Sequence, residues 1–470
     1  MLVTVLTARE IARRTAGRIA GDEDATVDAW TFDSRMLQPG ACFVALRGDR
    51  DGHDFVESAF AAGAQVALVD HDFTGSVALA PGRALVHVGD TLGALQEIAR
   101  SLRLDRPELH VVAVGGSTGK TSTKDLLAAA LVSRGCHANE ASYNNEFGLP
   151  ITLCNVPGSA GVVVTEMGER FAGDLRELCD IARPDTGVVT NVGLAHAEHL
   201  GGRDGVVAVL AELLEALPAT GTAVLNADDP ATPELRAATL ATVVTVGESD
   251  EADYRITDVS FDERLHPSFA LGGHRFTIPL HGTHQVVNAA MAVAVAHGGF
   301  SLSYEEIALE LAQAKPGRWR MELLETDAGV TVLNDAYNAN PTSMEAALVA
   351  LAHLALPAGA RRIAVVGDMR ELGRHHDDAH RAVGEQAAAL GLDVVVGVGA
   401  GGAAIAATAR ANGVDAHVAG DAAEAVALVA PMVRTGDAVL VKASRALGLE
   451  HVADGLLARA RTGCVGGDRA

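Results

Sequence analysis

Lysine is almost missing from this chain. Of 470 residues only Lys120, Lys124, Lys315 and Lys442 are lysines, while arginine is plentiful and acids outnumber both, leaving a formal charge of -23. So acidic a balance excludes nucleic acid or an anionic membrane as the main partner, and the few lysines are not casual surface charge. Paired cysteine is missing too. Cys42, Cys136, Cys154, Cys179 and Cys464 make no Cys-x-x-Cys and no metal-ligand spacing, which fits a reduced intracellular protein with inert thiols. There is no apolar run long enough to span a bilayer, and Met1 to Leu6 is too short and lacks the basic flank of a signal peptide. The expectation is a cytoplasmic monomer that binds small molecules, inserts in no membrane and carries no internal repeat.

What is present is organised around Val114-Gly115-Gly116-Ser117-Thr118-Gly119-Lys120-Thr121, between the apolar run 109–114 and a helical pattern over 122–134. Strand, glycine-rich loop, then helix is the order a phosphate cradle requires, because backbone N–H groups and the helix N-terminus then face the anion. Gly116, Ser117, Thr118 and Gly119 would form the cradle, Lys120 would reach the terminal phosphates, and Thr121 would offer its hydroxyl to Mg²⁺. ATP is the nucleotide expected. The full GxxxxGK[ST] pattern fails at its first position, which is Val114, so the match rests on the shorter core and on the strand and helix around it.

Length argues for about three domains. Residues 1–107 alternate helix and strand, opening with a capping box at Thr7-Ala8-Arg9-Glu10. They carry the turn Asp33-Ser34-Arg35 before a strand over 41–46. Residues 108–316 hold the phosphate loop, a strand over 161–165 ending at Glu166, a strand over 186–190 ending at Asn191 with His196 beyond it, and a helix over 206–217. A β-rich stretch over 243–280 and a helix opened by His284 and containing Asn288 follow. Residues 317–470 begin at a hinge, Pro316-Gly317-Arg318, and continue with strands ending at Asn334-Asp335, Gly367-Asp368 and Lys442-Ala443-Ser444-Arg445. The class is α/β: a small α/β domain, a central P-loop domain with a parallel sheet and a Rossmann-like C-terminal domain. Ligands of such sheets sit at the carboxyl ends of strands, so Glu166 and His196, near the loop, form a candidate metal site with Thr121.

Read together, Gly116 to Thr121, Asn144-Asn145-x-x-Gly148-x-Pro150, Glu166-Met167-Gly168, Asn191 to His196, His284-x-x-x-Asn288, Asp335-Ala336-Tyr337-Asn338-Ala339-Asn340-Pro341, Gly367-Asp368-Met369-x-Glu371-Leu372-Gly373 and Lys442-x-Ser444-Arg445 resemble the Mur ligases. The likeness covers nearly the whole chain, in order. It implies an N-terminal domain holding UDP through Asp33, Ser34 and Arg35, a central ATPase, and a C-terminal domain that brings an amino substrate. The stretches at 335–341 and 367–373 favour the member that adds D-alanyl-D-alanine to a UDP-linked muramoyl tripeptide. By the same resemblance Lys120, Glu166, His196 and Arg318 are catalytic, Asn288 and Asp335 hold adenosine, and Asn145, Asn338, Lys442, Ser444 and Arg445 meet the substrates. One departure stands out: where the resemblance implies a carbamylated lysine as an extra metal ligand, this chain has Leu210. A rate independent of bicarbonate is expected.

Overall fold

Three large sheets divide the chain, and a two-stranded antiparallel pair, 6–7 with 26–27, lies beside the first. The computed structural model describes residues 4–75, 77–139, 143–193 and 197–463. The first sheet has five strands in the order 18–21, 84–88, 66–70, 41–44, 29–31, parallel except at its 18–21 edge. Ahead of it the helix Ala8–Thr15 starts at Thr7, whose hydroxyl accepts from the Glu10 amide while the Glu10 carboxylate accepts from the Thr7 amide. A cap of this kind contributes about 1 kcal/mol. The strand expected over 41–46 ends at Val44.

The second sheet carries nine strands, in the order 274–277, 267–271, 254–261, 242–247, 222–226, 186–189, 110–115, 162–166, 136–138. Those from 254–261 to 136–138 run parallel, and at the other edge 267–271 pairs antiparallel with 254–261 and 274–277 antiparallel with 267–271. His110–Gly115 is flanked by strands from either side of the crossover, so the crevice at its carboxyl end is the switch point where such sheets bind ligands. The buried valines of these strands form near-continuous runs because helices cover both faces.

The third sheet has six strands in the order 322–325, 331–334, 438–442, 362–367, 394–398, 415–419, all parallel but the first. Its own crevice opens beside Ala438–Lys442. The first domain is not an appendage: the helix Thr91–Leu104 packs on Gly148–Cys154 and Asp174–Ala182 of the second. One apolar cluster runs from Leu6 to Ala241 across that boundary.

Two helices differ from the sequence reading. The one after the phosphate loop begins at Lys120, not Ser122, and its α-helical part stops at Ala130 before a 3-10 turn, Val132–Arg134. The helix expected over 206–217 spans Arg203–Glu215 and is buried on more than its apolar stripe. Glu212 is the reason: its carboxylate accepts from the Gly173 and Arg176 amides, capping the N-terminus of Asp174–Ala182 from the side. Leu210 is fully buried in the core and packs toward Gly115.

Candidate active site

A cleft of about 950 Å³ lies where the carboxyl ends of the central and C-terminal sheets face each other. Its floor is the phosphate loop. Gly116 has φ 129°, and a Cβ there would fall 2.1 Å from Thr190 Oγ1; Gly119 has φ 82°, and its Cβ would fall 2.7 Å from Asn288 Oδ1. Both positions therefore require glycine on backbone angle and on space. The loop is held from the neighbouring strand end: the Ser117 amide donates to the Asn191 carbonyl at 3.0 Å and the Thr118 amide to Asn191 Oδ1 at 3.1 Å. Gly119 supplies no side chain to cap Lys120–Ala130, so that helix presents its N-terminal amides to the cleft.

Two buried carboxylates, Glu169 and Glu166, stand on this floor. Lys120 Nζ donates to the Gly116 carbonyl and, at 3.1 Å, to Glu169 Oε1. Thr121 Oγ1 donates to Glu166 Oε2 at 2.5 Å, while Asn144 Nδ2 donates to Glu166 Oε1 at 2.7 Å. Glu166 is buried because its strand, Val162–Glu166, pairs with His110–Gly115 in a register that sets Glu166 beside Val114. Lys124, also buried, donates to the Asn139 carbonyl, and Asn139 Oδ1 accepts from the Glu166 amide. The lysines at 120, 124 and 442 are thus structural or site cations, and only Lys315 is an exposed one.

The facing wall comes from the C-terminal domain. Lys442 Nζ bonds Asp335 Oδ2 at 2.5 Å and the Asn338 carbonyl at 2.9 Å, and Asp335 Oδ1 accepts from the Met321 amide. His284 lies across from this pair; burial holds its imidazole below the usual histidine range, with Asp335 opposing and Lys442 reinforcing the shift. Asn340 caps Pro341–His353 and reaches the Ser117 carbonyl at 3.5 Å. Arg170 bonds Glu371 at 2.6 Å, and the Glu198 amide donates to the Glu371 carbonyl. The two domains therefore meet directly across the cleft.

Residues 114–296 match the Mur ligase middle domain, 319–445 the Mur ligase glutamate ligase domain and 26–103 the Mur ligase catalytic domain. The UDP-N-acetylmuramoyl-tripeptide–D-alanyl-D-alanine ligase of Mycobacterium tuberculosis is 39% identical, over 98% of this chain and 99% of that one. The chain belongs to the Mur ligase family. Among solved structures, MurF from Acinetobacter baumannii superposes with a TM-score of 0.85 at 28% identity, covering 97% of this chain and 100% of that one. The MurF ligase from Thermotoga maritima, in complex with ADP, gives 0.77 at 28% identity, covering 92% and 98%.

In this Mur ligase the cleft gathers Ser117, Thr118, Gly119, Lys120, Thr121, Asn145, Glu166, Asn288, Asp335, Asn338 and Lys442 from the residues singled out in sequence. Others lie elsewhere. Arg318 is exposed and lies over the Trp319 ring at 4.6 Å, and Arg445 covers the same ring at 4.3 Å while pairing with Glu450. The hinge arginine that lines the cleft is Arg320, over Tyr337 at 3.9 Å. Left-handed backbone at Trp319 and Met321 (φ 58° and 51°) turns alternate side chains outward and inward, which no spacing in Arg318-Trp319-Arg320 announces. Ser444 is buried and accepts from the Arg370 amide, fastening two strand ends rather than lining the cleft.

Asp33, Ser34 and Arg35 form a turn outside the cleft, with Arg35 mostly exposed and paired to Asp33, whose carboxyl this partner holds below its usual range. Phe32 beside them meets Tyr143 at 5.7 Å, at the start of the loop that carries Asn144 and Asn145. His196 lies outside the described residues. Glu169 was missed in the sequence reading; its only signal there was an acid three residues past the strand end at Glu166.

Proposed function

We propose that this chain joins D-alanyl-D-alanine to UDP-N-acetylmuramoyl-tripeptide at the expense of ATP, releasing ADP and phosphate, as a step in making peptidoglycan precursors in the cytoplasm. The observation that carries it is likeness to ligases of that name over 97 to 98% of the chain. The chain divides near 107 and 316 into a UDP-holding, an ATP-holding and an amino-substrate domain.

A carboxylate and an amine do not condense in water until a carboxylate oxygen becomes a leaving group. Transfer of the ATP γ-phosphoryl gives an acylphosphate, the amine attacks its carbonyl carbon, and phosphate departs with the C–O bond electrons. Such transfers depend on positioning and charge neutralisation. Lys120 supplies a cation to the terminal phosphates, Arg320 adds a second from the opposite wall, and the loop amides fix the chain of phosphates. The buried oxygen donors Thr121 and Glu166 fit Mg²⁺, a hard ion, and would hold it with His196 near a second, where it would neutralise developing phosphate charge. Asn288 and Asp335 border the adenosine, Asn145 and Asn338 the reacting ends, and Asp33, Ser34 and Arg35 the diphosphate of UDP.

The test is an assay with all three substrates. Phosphate release should require both the UDP-linked tripeptide and the dipeptide, and equal ATP turnover with either omitted would remove the reading. Because Leu210 leaves no lysine to carbamylate on its helix, the rate in CO₂-depleted buffer should not rise when bicarbonate is returned.

A further inference from the structure

Glu169 is a buried charge of the cleft to which the ligase reading gives no task. It is nearly without solvent contact; Oε1 accepts from Lys120 Nζ, and Oε2 is shielded with no hydrogen-bond partner among the described residues. A buried carboxylate oxygen left unpaired costs free energy, and burial duly pushes the carboxyl above its usual range, against the pull of Lys120 and with the help of Glu166. The group is placed where the strand end at Glu166 turns into the cleft, beside the ammonium that a nucleotide's phosphates must also reach.

We propose that Glu169 is a standing counter-ion of Lys120 and sets the cleft's preference for ATP over ADP. The inference rests on the nucleotide reading of the phosphate loop. An ammonium has three N–H donors; one is taken by the Gly116 carbonyl, which leaves two for the carboxylate and the phosphates. ATP brings both β- and γ-phosphates to that lysine and takes both donors from a single carboxylate. ADP brings only the β-phosphate and competes with Glu169 on nearly even terms, with the carboxylate left beside it as a like charge. Once the γ-phosphoryl has been transferred and phosphate has left, Glu169 regains Lys120 and weakens the hold on ADP. Glu169 acts through Lys120 and is a positioning residue, not a catalytic one.

Titration calorimetry of the full-length protein with ADP and with a non-hydrolysable ATP analogue tests this. Glu169→Gln, nearly isosteric and uncharged, should tighten ADP about tenfold, the size of one partly screened charge contact. It should tighten the ATP analogue clearly less, and lower kcat through slow ADP release while KM for ATP falls. In a Lys120→Ala background the same change should move ADP affinity little, since the effect runs through the lysine. Equal tightening of both nucleotides, weaker ADP binding, or a full effect without Lys120 would overturn the proposal. If the Gln variant binds neither nucleotide, Glu169→Asp decides: it keeps the charge and should keep the wild-type ratio, and a lost ratio there would also overturn it. Wild-type protein that binds no nucleotide would instead remove the nucleotide reading itself.

Discussion

Two helices in this molecule start from glycine-rich turns at the ends of buried parallel strands, and only one faces a cleft. Lys120–Ala130 follows His110–Gly115, and no side chain caps its first turn. Gly399–Ala411 follows Val394–Val398, and its turn reads Gly397-x-Gly399-x-x-Gly402, the spacing of a dinucleotide fingerprint; the expectation of a Rossmann-like domain without a Gly-x-Gly-x-x-Gly was wrong. There the N-terminus is already occupied. Asp368 Oδ1 accepts from the amides of Gly401 and Gly402, and a Cβ at Gly401 would fall 2.3 Å from His380 Nε2. Both termini attract an anion for the same reason, the unpaired amides of a first helical turn. In one the protein supplies the anion as its own carboxylate, and in the other it supplies a lysine to meet one from outside. Glycine spacing identifies a helix terminus that can bind an anion, and the surrounding side chains decide whose anion it is.

The widest separation between the two units should come from Lys120→Ala. Turnover should fall about a hundred- to a thousandfold, as when a group stabilising transition-state charge is removed, while the folded state persists, because Lys120 lines the cleft rather than the core. Steady-state phosphate release and a thermal melt measure the two; near-normal turnover would show that the first terminus is not the nucleotide site.

The opposite wall sharpens the contrast at the hinge. Arg320→Ala should cost roughly ten- to a hundredfold in kcat, about 1.4 to 2.7 kcal/mol, and Arg318→Ala only a few-fold, because Arg318 lies on Trp319 outside the cleft. The reverse ranking would restore Arg318 to the site.

Asp368→Ala should do what Lys120→Ala does not. It strips the cap from Gly401 and Gly402 and should cost about 1–3 kcal/mol of stability in denaturant melts, with kcat at 25 °C within a few-fold of wild type. A variant that melts normally but loses turnover would make the second terminus part of the site and break the comparison.

The smallest effect is in pH. His380 is buried beneath the closed terminus, Nδ1 donating to the His376 carbonyl and Nε2 accepting from the Met369 amide, with His376, Asp368 and Asp377 as its charged neighbours. Burial, the largest cause, lowers its pKa in the folded state. Below about pH 6.5 the unfolded chain therefore binds more protons than the folded one, and stability falls as pH drops through that window. His380→Asn should flatten the slope by up to about 1.4 kcal/mol per pH unit relative to wild type; an unchanged slope would mean that His380 does not titrate with unfolding.

Local signals carried far in this chain. The Thr7 capping box, the apolar strands and the order of strand-end loops were all legible, because each is set by backbone geometry within a few residues. So was the set Lys120, Thr121, Glu166 and Asp335, since parallel sheets bring strand ends to one crevice whatever the loops between them. Tertiary structure alone decided which of two arginines turns inward past Trp319, that Glu212 caps a neighbouring helix, and that Lys442 is held by Asp335. It alone also set Glu169 against Lys120 and Asp368 over Gly401. Those are choices of partner between charges and amides 33 to 107 positions apart in sequence. Pairings at that range are fixed by packing, which the chain acquires only once its sheets have formed.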